Sequence, residues 1–324
     1  MADEEKISNK IEETNESGPE TEVVPPRAEY ITRFARWIVL GGAALITFVI
    51  CFVLFMINEG RNYATDSADI VMMGDSIFAH TNDETSVAYI LAGCMNTTVA
   101  DMSFGGSCMS YIDRDGRMDY NSDAFSMAAL TQAIIAQDFR YQNNTYIRDN
   151  GTEYFKNRVS VLENIDFNRV DILIIDHLLN DYQDGVPIES GSDEYDEYTY
   201  AGALRSVLTQ LKEKYPNLRI ILIAPVKTWY GEECIPSDEK DNGSGTVDGY
   251  IDVQKALAEE LGVEWLSLYD VYDEAVKADP KLLKGENGED LMMWEAFTTD
   301  RIHPNETARR LIAEKISAYL SNGE

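Results

Sequence analysis

Ser76, His303 and Asp300 are the residues whose chemistry and spacing stand out in this chain. Ser76 lies in Val71-Met72-Met73-Gly74-Asp75-Ser76-Ile77, an apolar run broken by glycine and a short polar pair. A serine hydroxyl is a poor nucleophile by itself and needs a neighbouring base. The chain has three histidines, His80, His177 and His303. Only His303 has a carboxylate at a convenient offset, three residues earlier in Asp300-Arg301-Ile302-His303, where a turn would let it hold the ring nitrogen facing away from a serine. His80, four residues after Ser76, would share a helical face with it but has no such carboxylate. His177, at the end of an apolar run, suits a structural or substrate-contacting role. Together Ser76, His303 and Asp300 spell out acyl transfer.

Two more polar elements follow apolar segments in the same way. Gly105-Gly106 comes after Thr98 to Met102, and Asn180-Asp181 after Ile172 to Ile175. A side-chain amide at the end of a strand can donate to charge that develops on a carbonyl oxygen. An Asn before Asp is equally an ordinary turn, and Gly-Asp-Ser alone is an ordinary helix cap. What links them is position: sites in open α/β sheets gather where the strands end. Trp229 and Tyr230 offer aromatic faces for a sugar ring, or packing for a lid, and the apolar run Leu291 to Phe297 with Trp294 suits the lining of a substrate pocket beside His303.

The elements that must position these residues alternate. Apolar strand-like runs cover Ala68 to Met73, Thr97 to Asp101, Asp171 to Asp176, Leu218 to Ala224 and Val263 to Leu268. Helical periodicity covers Thr85 to Cys94, Ala124 to Phe139, Glu153 to Glu163, Glu197 to Tyr215, Val247 to Leu261 and Tyr269 to Lys277, with a last helix opening at Pro304-Asn305. Val226 to Gly245 has loop composition. Such alternation predicts an α/β three-layer sandwich, a mainly parallel sheet covered by helices on both faces.

Gly74-Asp75-Ser76, Asp101 to Gly106, Asn180-Asp181 and Asp300 to His303 occur in the order of the four blocks of SGNH, or GDSL-type, hydrolases, and the chain resembles that family over residues 66 to 322. The resemblance implies a flavodoxin-like SGNH hydrolase fold, with Ser76 as nucleophile, His303 as base and Asp300 as its orienting partner. It further implies an oxyanion hole from the Ser76 amide, Gly106 and Asn180. Two positions depart from the family pattern: Leu178 stands where a glycine is usual, and Asp101 where an asparagine is frequent.

Before this domain the chain changes character. Residues 1–36 are polar, acidic and punctuated by Pro19, Pro25 and Pro26, a composition too poor in apolar side chains to order itself. Residues 37–57 contain no charged side chain, and 21 residues at ~1.5 Å each reach about 31 Å, enough for a bilayer core. Arg27, Arg33 and Arg36 precede this span and Arg61 follows it, so the basic bias predicts a cytoplasmic N-terminus. A linker at 58–66 and an extracytoplasmic domain at 67–322 complete the organisation.

The formal charge of −30, from 27 basic and 57 acidic residues, excludes nucleic acid as a partner, because its phosphates require Lys and Arg to displace counterions. Cysteine spacing matches no zinc site, and Asp113-Arg114-Asp115-Gly116 fails the calcium-loop pattern, so neither metal nor organic cofactor is expected. Cys94 and Cys108 suit either a disulfide or buried thiols.

The expected function is a membrane-anchored serine esterase acting on carboxylic, chiefly acetyl, esters of glycans. One alternative is an O-acetyltransferase for an envelope glycan that works with a multi-span acyltransferase partner. Another is a glycan-binding domain without catalysis.

Overall fold

The computed structural model describes residues 68–114, 123–144 and 152–322. The tail 1–36, the span 37–57 and the linker 58–66 lie outside the described residues. Among the described residues no helix is long and apolar enough to cross a membrane.

Five strands, β1 (Ile70–Gly74), β2 (Val99–Asp101), β3 (Ile172–Asp176), β4 (Arg219–Ala224) and, later in the chain, Glu264–Ser267, form one sheet. Its spatial order is β2, β1, β3, β4, Glu264–Ser267, and every pairing is parallel. A parallel sheet needs a crossover after each strand, and crossovers are almost always right-handed. The chain moves from β1 outward to β2, then back across to β3 and on in the other direction, so the crossover helices fall on opposite faces. Val87–Met95 packs against Glu306–Asn322 in one layer, while Tyr200–Lys214 packs between Met127–Ala136 and Val247–Leu261 in the other. The α/β sandwich expected from the alternation is therefore present.

Burial explains the strand sequences. All five residues of β1 are buried, as are Leu173 to Asp176 of β3 and Ile220 to Ala224 of β4. Both faces of such strands meet helices, which is why they read as continuous apolar runs rather than alternating ones. Helix ends follow side-chain chemistry: Ser86, Ser126 and Thr199 each accept a hydrogen bond from a first-turn amide, and Gly262 ends Val247–Leu261 in the left-handed region at φ 62.

The differences from the expected elements are local. β1 starts at Ile70 rather than Ala68 and extends through Gly74, because Gly74 pairs with Asp176. The helix expected over Thr85 to Cys94 runs Val87–Met95 and turns at Asn96, which takes φ 51. In the segment expected to be loop, Trp229–Tyr230 (β5) pairs antiparallel with Ile235–Pro236 (β6).

Candidate active site

The site lies where the strand order reverses. β1 has β2 on one side and β3 on the other, and a crevice opens beyond the carboxyl ends of strands at such a point. The segments after β1, β2 and β3 carry Ser76, Gly105-Gly106 and Asn180, so topology gathers them there.

Ser76 opens the four-residue helix Ser76–Ala79, and Asp75 caps it, Oδ1 accepting the Ile77 amide at 2.8 Å. Asp75 is buried, so its carboxylate belongs to the turn rather than to solvent. Gly74 is required by crowding: a Cβ there would stand 3.0 Å from Phe78, 3.1 Å from the Asp176 carbonyl oxygen and 3.2 Å from the Asp176 Cβ. Ser76 itself is half-buried, and its hydroxyl has no hydrogen-bond partner among the described residues.

His303 is held by its own turn. Asp300 Oδ1 accepts the amides of Ile302 at 3.1 Å and His303 at 2.8 Å, and Oδ2 lies 2.6 Å from His303 Nδ1. Burial pushes the Asp300 carboxyl up, but these three contacts outweigh it and keep it below its ordinary value. With Nδ1 occupied by the carboxylate, Nε2 is the nitrogen left for chemistry. The ring of His303 stacks on that of His80, whose residue directly follows the Ser76–Ala79 helix. That places His303 on the Ser76 side of the fold, although Nε2 and the Ser76 hydroxyl are not hydrogen-bonded to each other. Such contacts often tighten only when substrate arrives.

Arg309 joins the two segments. From the last helix it donates to the Thr85 carbonyl at 2.8 Å, the Thr85 hydroxyl at 2.7 Å and the Pro304 carbonyl at 2.7 Å. One guanidinium thus ties the loop after His80 to the residue after His303. Burial, His303 and Arg309 lower the pKa of His80, against an opposing pull from Asp300.

The loops after β2 and β3 brace each other. Asp181 is fully buried and accepts from the Met109 amide at 2.7 Å, the Ser110 amide at 3.0 Å and the Ser110 hydroxyl at 2.5 Å. Burial nevertheless raises its pKa to about 6. Asn180, beside it, donates from Nδ2 to the Ser107 carbonyl at 3.0 Å, which fixes the amide plane and leaves its second N–H. Leu178, in place of the family's glycine, is fully buried at φ −165, outside the left-handed region that favours glycine. Gly106 is exposed at φ 78, and Gly105 lies nearer the serine, since a Cβ on it would stand 3.7 Å from the Ser76 Cβ. Asp101 bonds the Ser103 amide at 3.0 Å and Arg158 at 2.7 Å, so the carboxylate at this departure from the family pattern anchors the loop.

Two expected substrate contacts, His177 and Trp229, are corrected. His177 is fully buried, bonds Ser107 Oγ at 3.0 Å, and has its pKa pushed down to about 3 by burial, so it supports the loop beneath the site and meets no substrate. Trp229 is buried at 7% exposure, its ring parallel to Tyr272 at 6.3 Å, and Tyr272 in turn stacks on Phe297 at 4.7 Å. Tyr230 is half-buried, accepts from Thr228 Oγ1 at 3.2 Å and meets Tyr182 edge-on. Trp229 therefore serves packing, while Tyr230 stays partly exposed. Trp294 is half-buried with the Arg301 guanidinium 5.2 Å above its ring. Cys94 and Cys108 are free thiols, one exposed and one buried, and form no disulfide. No group of three or more His, Cys, Asp or Glu among the described residues is arranged to hold a metal.

Arg158, Arg309 and Tyr154 escape sequence reasoning. Their partners are distant in the chain, 224 residues for Arg309 with Thr85, and a lone arginine or tyrosine on a helix carries no local signal.

The model of the GDSL-like lipase/acylhydrolase family matches residues 70–316. No curated protein matches this chain. Among solved structures, a protein from Lactobacillus plantarum is 21% identical over 81% of this chain and all of its own length, with a TM-score of 0.51. A carbohydrate acetylesterase from Sinorhizobium meliloti is 13% identical over 79% of this chain and 99% of its own, with a TM-score of 0.44. The Asp300–His303 pair, the half-buried serine after β1 and the matched span lead to one conclusion: the chain belongs to the GDSL-like lipase/acylhydrolase family and is a serine hydrolase of that type acting on ester bonds.

Proposed function

We propose that this protein removes acetyl groups from glycans outside a membrane that residues 37–57 cross, with Ser76 as nucleophile, His303 as general base and Asp300 orienting the imidazole. The observation that carries the chemistry is the 2.6 Å contact between Asp300 and His303 Nδ1 in a ring stacked beside the Ser76 helix. In the first half-reaction Ser76 Oγ attacks the ester carbonyl and His303 Nε2 takes its proton. The same nitrogen returns that proton to the departing alcohol, leaving an acyl-serine. Water, deprotonated by His303, then releases the acid and restores the hydroxyl. The negative oxygen of each tetrahedral intermediate is met by the amides of Ser76 and Gly106 and the second N–H of Asn180.

The support for the outer face is the uncharged span and the basic residues before it, and the glycan is proposed from that placement. No partner is needed for hydrolysis; transfer to a glycan hydroxyl would use the same acyl-serine and require an acyl donor delivered across the bilayer.

The test uses the full chain in membranes. It should hydrolyse p-nitrophenyl acetate, release acetate from an O-acetylated glycan, and take up a fluorophosphonate probe at Ser76, while Ser76→Ala does none of these. Full activity in Ser76→Ala would refute the assignment. Acetyl transfer exceeding acetate release would replace hydrolysis with the transferase reading.

A further inference from the structure

The helix Thr152–Leu162 brings a phenol to the site that no motif announces. Tyr154 Oη accepts a hydrogen bond from the Gly105 amide at 3.2 Å. A Cβ built on Gly105 would lie 3.2 Å from that same oxygen and 3.7 Å from the Ser76 Cβ. The phenol and the serine therefore border one spot, across a residue whose only side chain is hydrogen. A phenol has one proton to give as well as lone pairs to receive with. Gly105 uses a lone pair, and the proton finds no acceptor among the described residues.

The ring is held firmly enough to aim that proton. Arg158 lies 5.0 Å from its centroid, and Phe155 packs on it at 4.5 Å. Arg158 is itself buried and bonded to Asp101, to the Ser103 carbonyl and to Asn82, so the loop carrying Gly105 and the helix carrying Tyr154 are tied together through it. A hydrogen bond received by a hydroxyl polarises it and strengthens the one it donates.

We propose that Tyr154 is a further catalytic residue, its hydroxyl donating to the ester oxygen that becomes negative when Ser76 attacks. The inference rests on the assignment of Ser76 as nucleophile. It adds a side-chain donor, supplied by a separate helix, to the two amides and Asn180. Burial raises the Tyr154 pKa, against the Gly105 amide and the Arg158 charge, which lower it, and with Asp101 adding to the rise. The phenol consequently keeps its proton at neutral pH. No bond is made or broken at Tyr154; the proton stays on the phenol through the cycle.

Tyr154→Phe in the full chain is the first test. The expected result is a fall in kcat of about a hundredfold for p-nitrophenyl acetate, with KM little changed and fluorophosphonate labelling slowed in parallel. A variant with kcat intact, or with the whole loss in KM, would overturn the proposal. Because Phe also deprives Gly105 of its acceptor, a second variant separates donation from support. Replacing Tyr154 with 3,5-difluorotyrosine keeps the acceptor and makes the phenol more acidic. Activity should then be lost as pH rises through the ionisation of the fluorinated phenol, while the wild type holds. A flat profile would show that Tyr154 only props Gly105. Wild-type protein that is neither active nor labelled would remove the Ser76 assignment and this inference with it; active wild type with unaffected variants would remove this inference alone.

Discussion

The rings of His80 and His303 lie face to face, centroids 4.3 Å apart and planes 11° from parallel. Each belongs to a different end of the domain in sequence, and Arg309 fastens their two loops together. The consequence is an imidazole braced on both sides: Asp300 fixes its Nδ1 edge and His80 covers one face. An aromatic contact of this kind contributes ~0.5–1.5 kcal/mol, a factor of about 2 to 10 in rate if it is spent on holding His303.

His80→Ala should accordingly lower kcat for p-nitrophenyl acetate by a factor of about 2 to 10 with KM little changed. His80→Phe, which keeps a flat ring without a titratable nitrogen, should recover most of the loss. Steady-state kinetics on both variants checks this, and an equal loss in the two would show that the His80 nitrogens matter rather than its stacking.

Beneath the nucleophile Asp75 and Asp176 are both buried, and Asp176 Oδ2 has no hydrogen-bond partner. Burial raises both pKa values, and the Asp75 charge raises that of Asp176 further. A carboxyl with a raised pKa in the folded state holds its proton there longer than in the unfolded chain. Its contribution to stability is therefore complete below the ordinary value of 3.8 and is lost as pH rises from there towards the folded pKa. Asp176→Asn should thus gain thermal stability relative to wild type as pH rises from about 4 to 7, by ~1.4 kcal/mol for each tenfold difference in proton affinity between the folded and unfolded carboxyl. His177 works in the opposite sense, losing stability as pH falls below its ordinary 6.5, but it is present in both proteins and drops out of the difference. Thermal unfolding of both proteins across that pH range checks this, and a difference between them that stays constant with pH would sink the idea.

Gly202 sits in the first turn of Tyr200–Lys214, where alanine would ordinarily add ~0.8–1.0 kcal/mol of helix propensity. Here a Cβ would overlap the Asp196 carbonyl oxygen and lie 2.7 Å from the carbonyl carbon and amide nitrogen of the same residue. Backbone cannot swing aside as a side chain can, so overpacking, at about 1–3 kcal/mol, wins. Gly202→Ala should lower the denaturation midpoint; an unchanged or higher midpoint would contradict the crowding.

Much of the frame is legible residue by residue. Val247–Leu261 has the bounds its periodicity and Gly262 predict, and Ile172–Asp176 stands one residue inside the expected strand. What local pattern misses is what depends on pairing: Trp229–Tyr230 is a strand because Ile235–Pro236 lies beside it, within a stretch whose composition says loop. In sequence Trp229 suits a sugar platform or lid packing, since nothing in the run Val226 to Gly245 says what lies against it. Its burial against Tyr272 is a property of the packed helix Val271–Ala278, not of its neighbours in sequence.

The sequence by itself determined the alternation of strands and helices, the serine after the first strand and the Asp300–His303 turn, because each follows from periodicity or from groups within a few residues of one another. Only the tertiary structure decided that His80 would stack on His303, that Arg309 would fasten their loops, that His177 would be sealed away and that Tyr154 would reach Gly105. Those contacts join segments tens to hundreds of residues apart, and a parallel sheet brings them together by the order of its strands, which no local run of side chains encodes.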